Sequence, residues 1–198
     1  WAVVNATNVT IAVSDHSRLT ATSDNGIACN VGLLANILML NDVMAHLIFR
    51  GGLIAVMGRS ELVASSGSPD QRSIVGNVLM FSLTWSGRGE SYLDVRDVIV
   101  TVSAANLTAM HVADVTDNLM IHGNVIFAGA YAGGMPPVCF AHLTRVAVAI
   151  GEGSNVTLLT NSKAFGLNLA LFGNNDAIMT HVVFSETGGS RLLCEPLR

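Results

Sequence analysis

Four aspartates are the residues of this 198-residue chain whose types and spacing come closest to a catalytic set. Asp94 and Asp97 lie in LDVRDV, and Asp114 and Asp117 lie in ADVTDN. Two carboxylates about 5–9.5 Å apart on a groove, one with a raised pKa, can hydrolyse a glycosidic bond. Both pairs are expected across turns, where Asp bonds nearby backbone and stays solvated. A lyase or hydrolase would also need cations converging on the same groove. Lys163 is the sole lysine, and the nine arginines are dispersed. The nucleophile-elbow pattern and the phosphate-loop pattern are both absent. No catalytic residue is assigned, and no cofactor or small-molecule substrate is expected.

Histidines 16, 46, 111, 122, 142 and 181 are scattered, with no pair at metal-ligand spacing. His46, within an apolar run, is expected to be a partly buried or outward strand residue. Cys29, Cys139 and Cys194 form no CxxC pair, which argues against a zinc site. One disulfide plus a leftover thiol, or a bond outside the sequence, are both open. Sequons stand at Asn5, Asn8, Asn106 and Asn155. With 15 Asn and 29 Ser plus Thr, roughly two would arise by chance, so the excess is small. If the chain is secreted, these four are the candidate glycosylation sites.

The composition narrows the class. Hydrophobic residues make up 51 % and charged residues 12 %, with a net charge of −4. Such a chain must bury much of itself or lie against other protein. It offers no basic field for nucleic acid. The longest apolar stretch, 27–49, is interrupted by Asn30, Asn36, Asn41, Asp42 and His46, which argues against a membrane span. Trp1 and Arg198 look like cut ends, so an internal fragment of a longer protein is expected.

The elements that must position these residues repeat. NVTIAVSDHS, DVMAHLIFRG, DVIVTVSAAN and RVAVAIGEGS each set a polar residue, then Val, then alternation with period two. The inward sets predicted are Val9, Ile11, Val13; Val43, Ala45, Leu47; Val98, Val100, Val102; and Val146, Val148, Ile150. A second short strand follows, opening at Leu19, Leu53, Leu107 and Val156. The dipeptide Asn-Val recurs at Asn8, Asn30, Asn77, Asn124 and Asn155, usually at the threshold of a strand. Asn tolerates sharp left-handed bends, and stacked Asn at successive corners would form ladders. The best helical window, 31–44, is weakened by its Asn and Gly content.

Short strands with tight polar turns predict an all-β chain, a right-handed parallel β-helix of pectin-lyase-like type forming one segment over 1–198. The alternative is a β-sandwich. The key Val residues stand 34, 55 and 48 apart, which is not a clean period.

Three segments, NVTIAVSDHSRLTATSDNGIAC, GNVLMFSLTW and SNVTLLTNSKAFGLNLALFG, resemble the repeated sequence of dispersed gene family protein 1, a large trypanosome surface protein family. The resemblance spans the chain. It implies a β-helical ectodomain at the cell surface, N-glycosylation and an adhesive role. It also implies a membrane-anchored parent whose membrane segments lie outside this piece. It carries over no catalytic residue. The expected function is a structural and adhesive segment that meets host-cell or matrix glycoproteins. A lyase or hydrolase on the same coil, an unglycosylated intracellular scaffold with free thiols, and a spacer without binding activity are the alternatives.

Overall fold

The computed structural model describes residues 2–23, 31–42, 45–67, 72–84, 90–111, 121–131, 138–151, 153–160, 165–166, 168–173 and 176–196. Among them every regular element is a strand. In chain order these are β1 (Ala2–Thr7), β2 (Thr10–Val13), β3 (Arg18–Ser23), β4 (Val31–Asp42), β5 (Ala45–Met57) and β6 (Glu61–Ser66). Then come β7 (Arg72–Thr84), β8 (Glu90–Ser103), β9 (Asn106–His111), β10 (Ile121–Tyr131), β11 (Val138–Gly151) and β12 (Asn155–Thr160). The last are β13 (Phe165–Gly166), β14 (Leu169–Gly173), β15 (Asp176–Thr180), β16 (Val183–Glu186) and β17 (Arg191–Pro196).

All recorded pairings are parallel, and they build three sheets. The first holds β1 and β2, then β5, β8, β11, then β15 and β16. The second holds β3, β6, β9, β12 and β17. The third holds β4, β7, β10 and the pair β13 and β14. The chain visits first, second and third sheet in that cyclic order and then begins again. A sandwich of antiparallel sheets does not arise from such pairing. The window 31–44 contains the strand β4 rather than a helix. No helix is long and apolar enough to cross a membrane among the described residues.

Alternation explains the strands. In β6 the residues are alternately half-buried and buried from Glu61 to Ser66, the period expected when one face meets a core. Like residues then stack between passes. Ile11, Ile54, Val100 and Val148 form one column, and Val13, Val56, Val102 and Ile150 form another. Leu19, Leu62, Leu107, Val156 and Leu192 form a third. Residues of all three sheets join one core, with Leu47, Phe49, Leu93 and Phe127 buried in it.

The structure corrects the register of the second pass. Val9 aligns with Gly52, Val98 and Val146, so these positions stand 43, 46 and 48 apart. Val43 lies outside the described residues, and Leu47 belongs to the column of Leu93 and Ala141. Leu53 is outward and Leu62 opens the second strand of that pass. The physical reason is the bend. Asn8, Gly51, Asp97, Arg145 and His181 share one station, with φ of 54°, 61°, 55°, 52° and 53°. Glycine reaches that left-handed conformation at least as readily as a polar residue. The second pass therefore reads Gly-Gly where the others read polar-Val.

Candidate functional site

The residues that do the most in this molecule form a row of asparagines. Asn36, Asn77, Asn124 and Asn168 stack across the third sheet side, one per pass. Each Nδ2 donates to the Oδ1 of the next, at 2.7, 2.6 and 2.6 Å. The other Nδ2 proton goes to a carbonyl of the second sheet: Val63 at 2.8 Å, Thr108 at 2.9 Å, Thr157 at 2.8 Å and Leu193 at 2.8 Å. Asn77 and Asn124 are fully buried. A buried amide is costly unless its donors are paired, and both Nδ2 protons of each are paired. The row clamps one sheet to another at every pass. Asn77 and Asn124 were among the Asn-Val positions read as ladder candidates; Asn36 and Asn168 were not, because Ile and Leu follow them. Their signal was the interval between asparagines, 41, 47 and 44 residues.

Asp94 and Asp97 do not face each other across a turn. Both lie on β8, with Asp97 at the left-handed bend. Asp94 accepts from Arg96 Nε at 2.7 Å and has Arg50 at 3.8 Å. Asp97 accepts from Arg145 through Nε at 2.5 Å and the terminal nitrogen at 2.7 Å. The hydrogen bond from Arg145 lowers the Asp97 pKa below its ordinary value, and the Arg145 pKa rises for the same reason. Each carboxylate is thus matched to a guanidinium, and at Asp97 this favours the ionised form. A glycosidase acid needs the opposite. Asp114, Asp117, Lys163 and Cys29 lie outside the described residues. Cys139 is in β11 and Cys194 in β17, strands of different sheets.

His46 and His142 are half-buried on the outer face of the first sheet. The His46 ring meets Tyr92 at 4.5 Å, Tyr92 stacks on Phe140 at 4.6 Å, and His142 meets Phe140 edge-on at 6.1 Å. This is cross-strand ring packing of the kind that stabilises sheets. His16 and His181 are exposed at left-handed positions. No three His, Cys, Asp or Glu gather as metal ligands among the described residues.

The sequon asparagines all stand on strands of the first and second sheets or at their bends. Asn5, Asn8 and Asn106 are exposed. Asn155 is half-buried, and its Nδ2 donates to Asn106 Oδ1 at 3.0 Å. At the end of the stack formed by β2, β3 and β4, a concavity of about 600 Å³ opens on the core, lined by Ile11, Val13, Leu19 and Ile37 together with Asn36 and Ser17. Compared with family models, curated proteins and solved structures, the chain matches none.

Proposed function

We propose that this chain is a segment of a right-handed parallel β-helix whose work is structural and adhesive rather than catalytic. The observation that carries the proposal is the asparagine row, with like residues stacked in register above and below it. Cyclic visits to three parallel sheets are what a coiled path requires. The adhesive part is supported by the outer faces, which are broad and low in charge, with Glu61, Asp94 and Asp97 each beside an arginine. Such faces suit many weak contacts along a long surface better than one deep pocket. On this reading, which the resemblance to the trypanosome surface family also supports, the chain is displayed at a cell surface. Its partners are host-cell or matrix glycoproteins, and sugars on Asn5, Asn8, Asn106 or Asn155 modulate contact.

Arrays of the chain displayed at increasing valency test it. Cell binding that rises steeply with valency is the expected result. Absence of binding at every valency would reduce the role to a spacer.

A further inference from the structure

Two of the four sequons meet in space. Asn106 opens β9 and Asn155 opens β12, and the two are register partners in the second sheet. Neighbouring parallel strands lie about 4.8 Å apart, so asparagines 49 residues apart in sequence stand side by side. Both belong to inner strands of that sheet, with β6 beyond one and β17 beyond the other. Leu107 and Val156 are fully buried, so the asparagines that precede them face outward. The pair is directional. Asn155 Nδ2 donates to Asn106 Oδ1 at 3.0 Å, which commits the atom that a sugar would occupy. Asn106 receives at its oxygen and has no acceptor for its own Nδ2 among the described residues. Asn106 is also exposed where Asn155 is half-buried. Next to Asn106 on its other side is Glu61, engaged by Arg18 at 3.2 Å, and next to Asn155 is Arg191.

We infer that this stacked pair takes one N-linked glycan, on Asn106, and that Asn155 serves as its hydrogen-bond donor. The inference rests on the surface-display reading above, which brings the chain to a glycosylating compartment. Transfer forms a bond from Nδ2 to the anomeric carbon of an oligosaccharide. It breaks that carbon's bond to the pyrophosphate of a lipid-linked donor and releases one amide proton. Both sequons are acceptors by sequence, and both are open before the chain folds. The folded stack then discriminates. A first sugar on each asparagine would project from adjacent strands in the same direction, and a pyranose with its arms is broader than a gap of about 4.8 Å. A sugar on Asn106 alone leaves Oδ1 in place to accept from Asn155. A sugar on Asn155 puts its ring on the donor nitrogen, between Asn106 and Arg191. Chains with both sugars fail to close the third pass onto the fourth and are held back from the folded pool. Thr108 and Thr157, the hydroxyl residues of the two sequons, are register partners too. Either sequon is therefore silenced without touching its asparagine.

The 198-residue chain, carried into a eukaryotic secretory pathway by an added leader, tests this. Thr7→Val and Thr10→Val silence the sequons at Asn5 and Asn8 in every protein compared. Intact mass of the secreted protein counts sugars per molecule, and circular dichroism confirms the strand-rich fold. Tryptic peptides separate the two sites, because Arg145 lies between them. Expected is one sugar per molecule, on Asn106. Thr108→Val should move it to Asn155, and Thr157→Val should leave Asn106 as occupied as before. Thr108→Ala replaces Thr108→Val if the latter is not secreted. Folded chains with two sugars overturn the exclusion, and a sugar found as often on Asn155 as on Asn106 with both sequons intact overturns the preference. Sugar on neither site in any of these proteins overturns both. None of these results touches the display reading, which stands or falls on cell binding by the arrays.

Discussion

The Phe49 ring fills the space that a side chain at Gly52 would need; a Cβ built on Gly52 lands on the ring. In the next two passes the same two stations hold Val95 with Val98 and Leu143 with Val146. One large and one missing side chain fill the volume that two medium ones fill elsewhere. Gly52→Val is therefore expected to destabilise by about 1–3 kcal/mol through overpacking. Adding Phe49→Val should recover most of that loss. Urea unfolding of the two single variants and the double variant checks it, and strictly additive losses would sever the link.

Asn124 sits in the middle of its row, donating to Thr157 and Asn168 and accepting from Asn77. Asn124→Leu keeps the size but takes the acceptor from a buried Asn77 amide proton and the donor from two half-buried oxygens, Thr157 O and Asn168 Oδ1. A loss of about 2–4 kcal/mol is expected, on the cost of leaving such groups unpaired. Asn36→Leu, at the half-buried end, should cost less. Equal losses at the two positions would show that burial does not set the cost.

Val98 and Val100 are fully buried in the first sheet. Val100→Asp places a charge among stacked aliphatic side chains and should destabilise by about 4 kcal/mol or more. Thermal unfolding followed by circular dichroism reads this directly. A variant that melts with the wild type would place Val100 outside the core.

The Asp97–Arg145 pair gives a pH signature of known sign. The folded-state pKa of Asp97 is depressed, by the Arg145 hydrogen bond first of all. Its contribution is then present above the ordinary carboxylate value and is lost as pH falls through the lower folded value. Both side chains are more than half exposed, so the effect is small and salt-sensitive. Stability curves of wild type and Arg145→Gln should draw together as pH falls through and below the ordinary carboxylate range. A constant gap down to strong acid would rule the linkage out.

Asp94, Asp97, Asp114 and Asp117 changed together to Asn should leave adhesion unaltered, and neither protein should cleave acidic polysaccharide. Cleavage by the wild type that vanishes in the variant would favour the lyase or hydrolase.

Much of this architecture was legible because period two is strong where one strand face is buried, as from Val98 to Val102. The second pass was misread because its bend uses Gly51 and its core station uses Gly52, and neither glycine announces a column. The match at Asp42-Val43 then drew the register nine residues away. The asparagine row was legible at Asn77 and Asn124 and hidden at Asn36 and Asn168. There the chemistry depends on the spacing between passes, not on the residue that follows. Asp97 is exposed at a bend, as expected, but its ion pair was hidden because Arg145 lies in the next pass, 48 residues away. Asp94 instead pairs with Arg96, two residues along its own strand.

Parallel pairing across all three sheets also sets how the molecule meets force. The hydrogen bonds between passes run along the stack, and the strands lie across it. Tension applied along the stack is carried through every pass in series. It peels the marginal strands first, because there the pull falls on an edge with a neighbour on one side only. Each freed pass holds about 43–48 residues and lengthens the chain by roughly 140–170 Å. A stack built this way yields in steps and absorbs work as it does so.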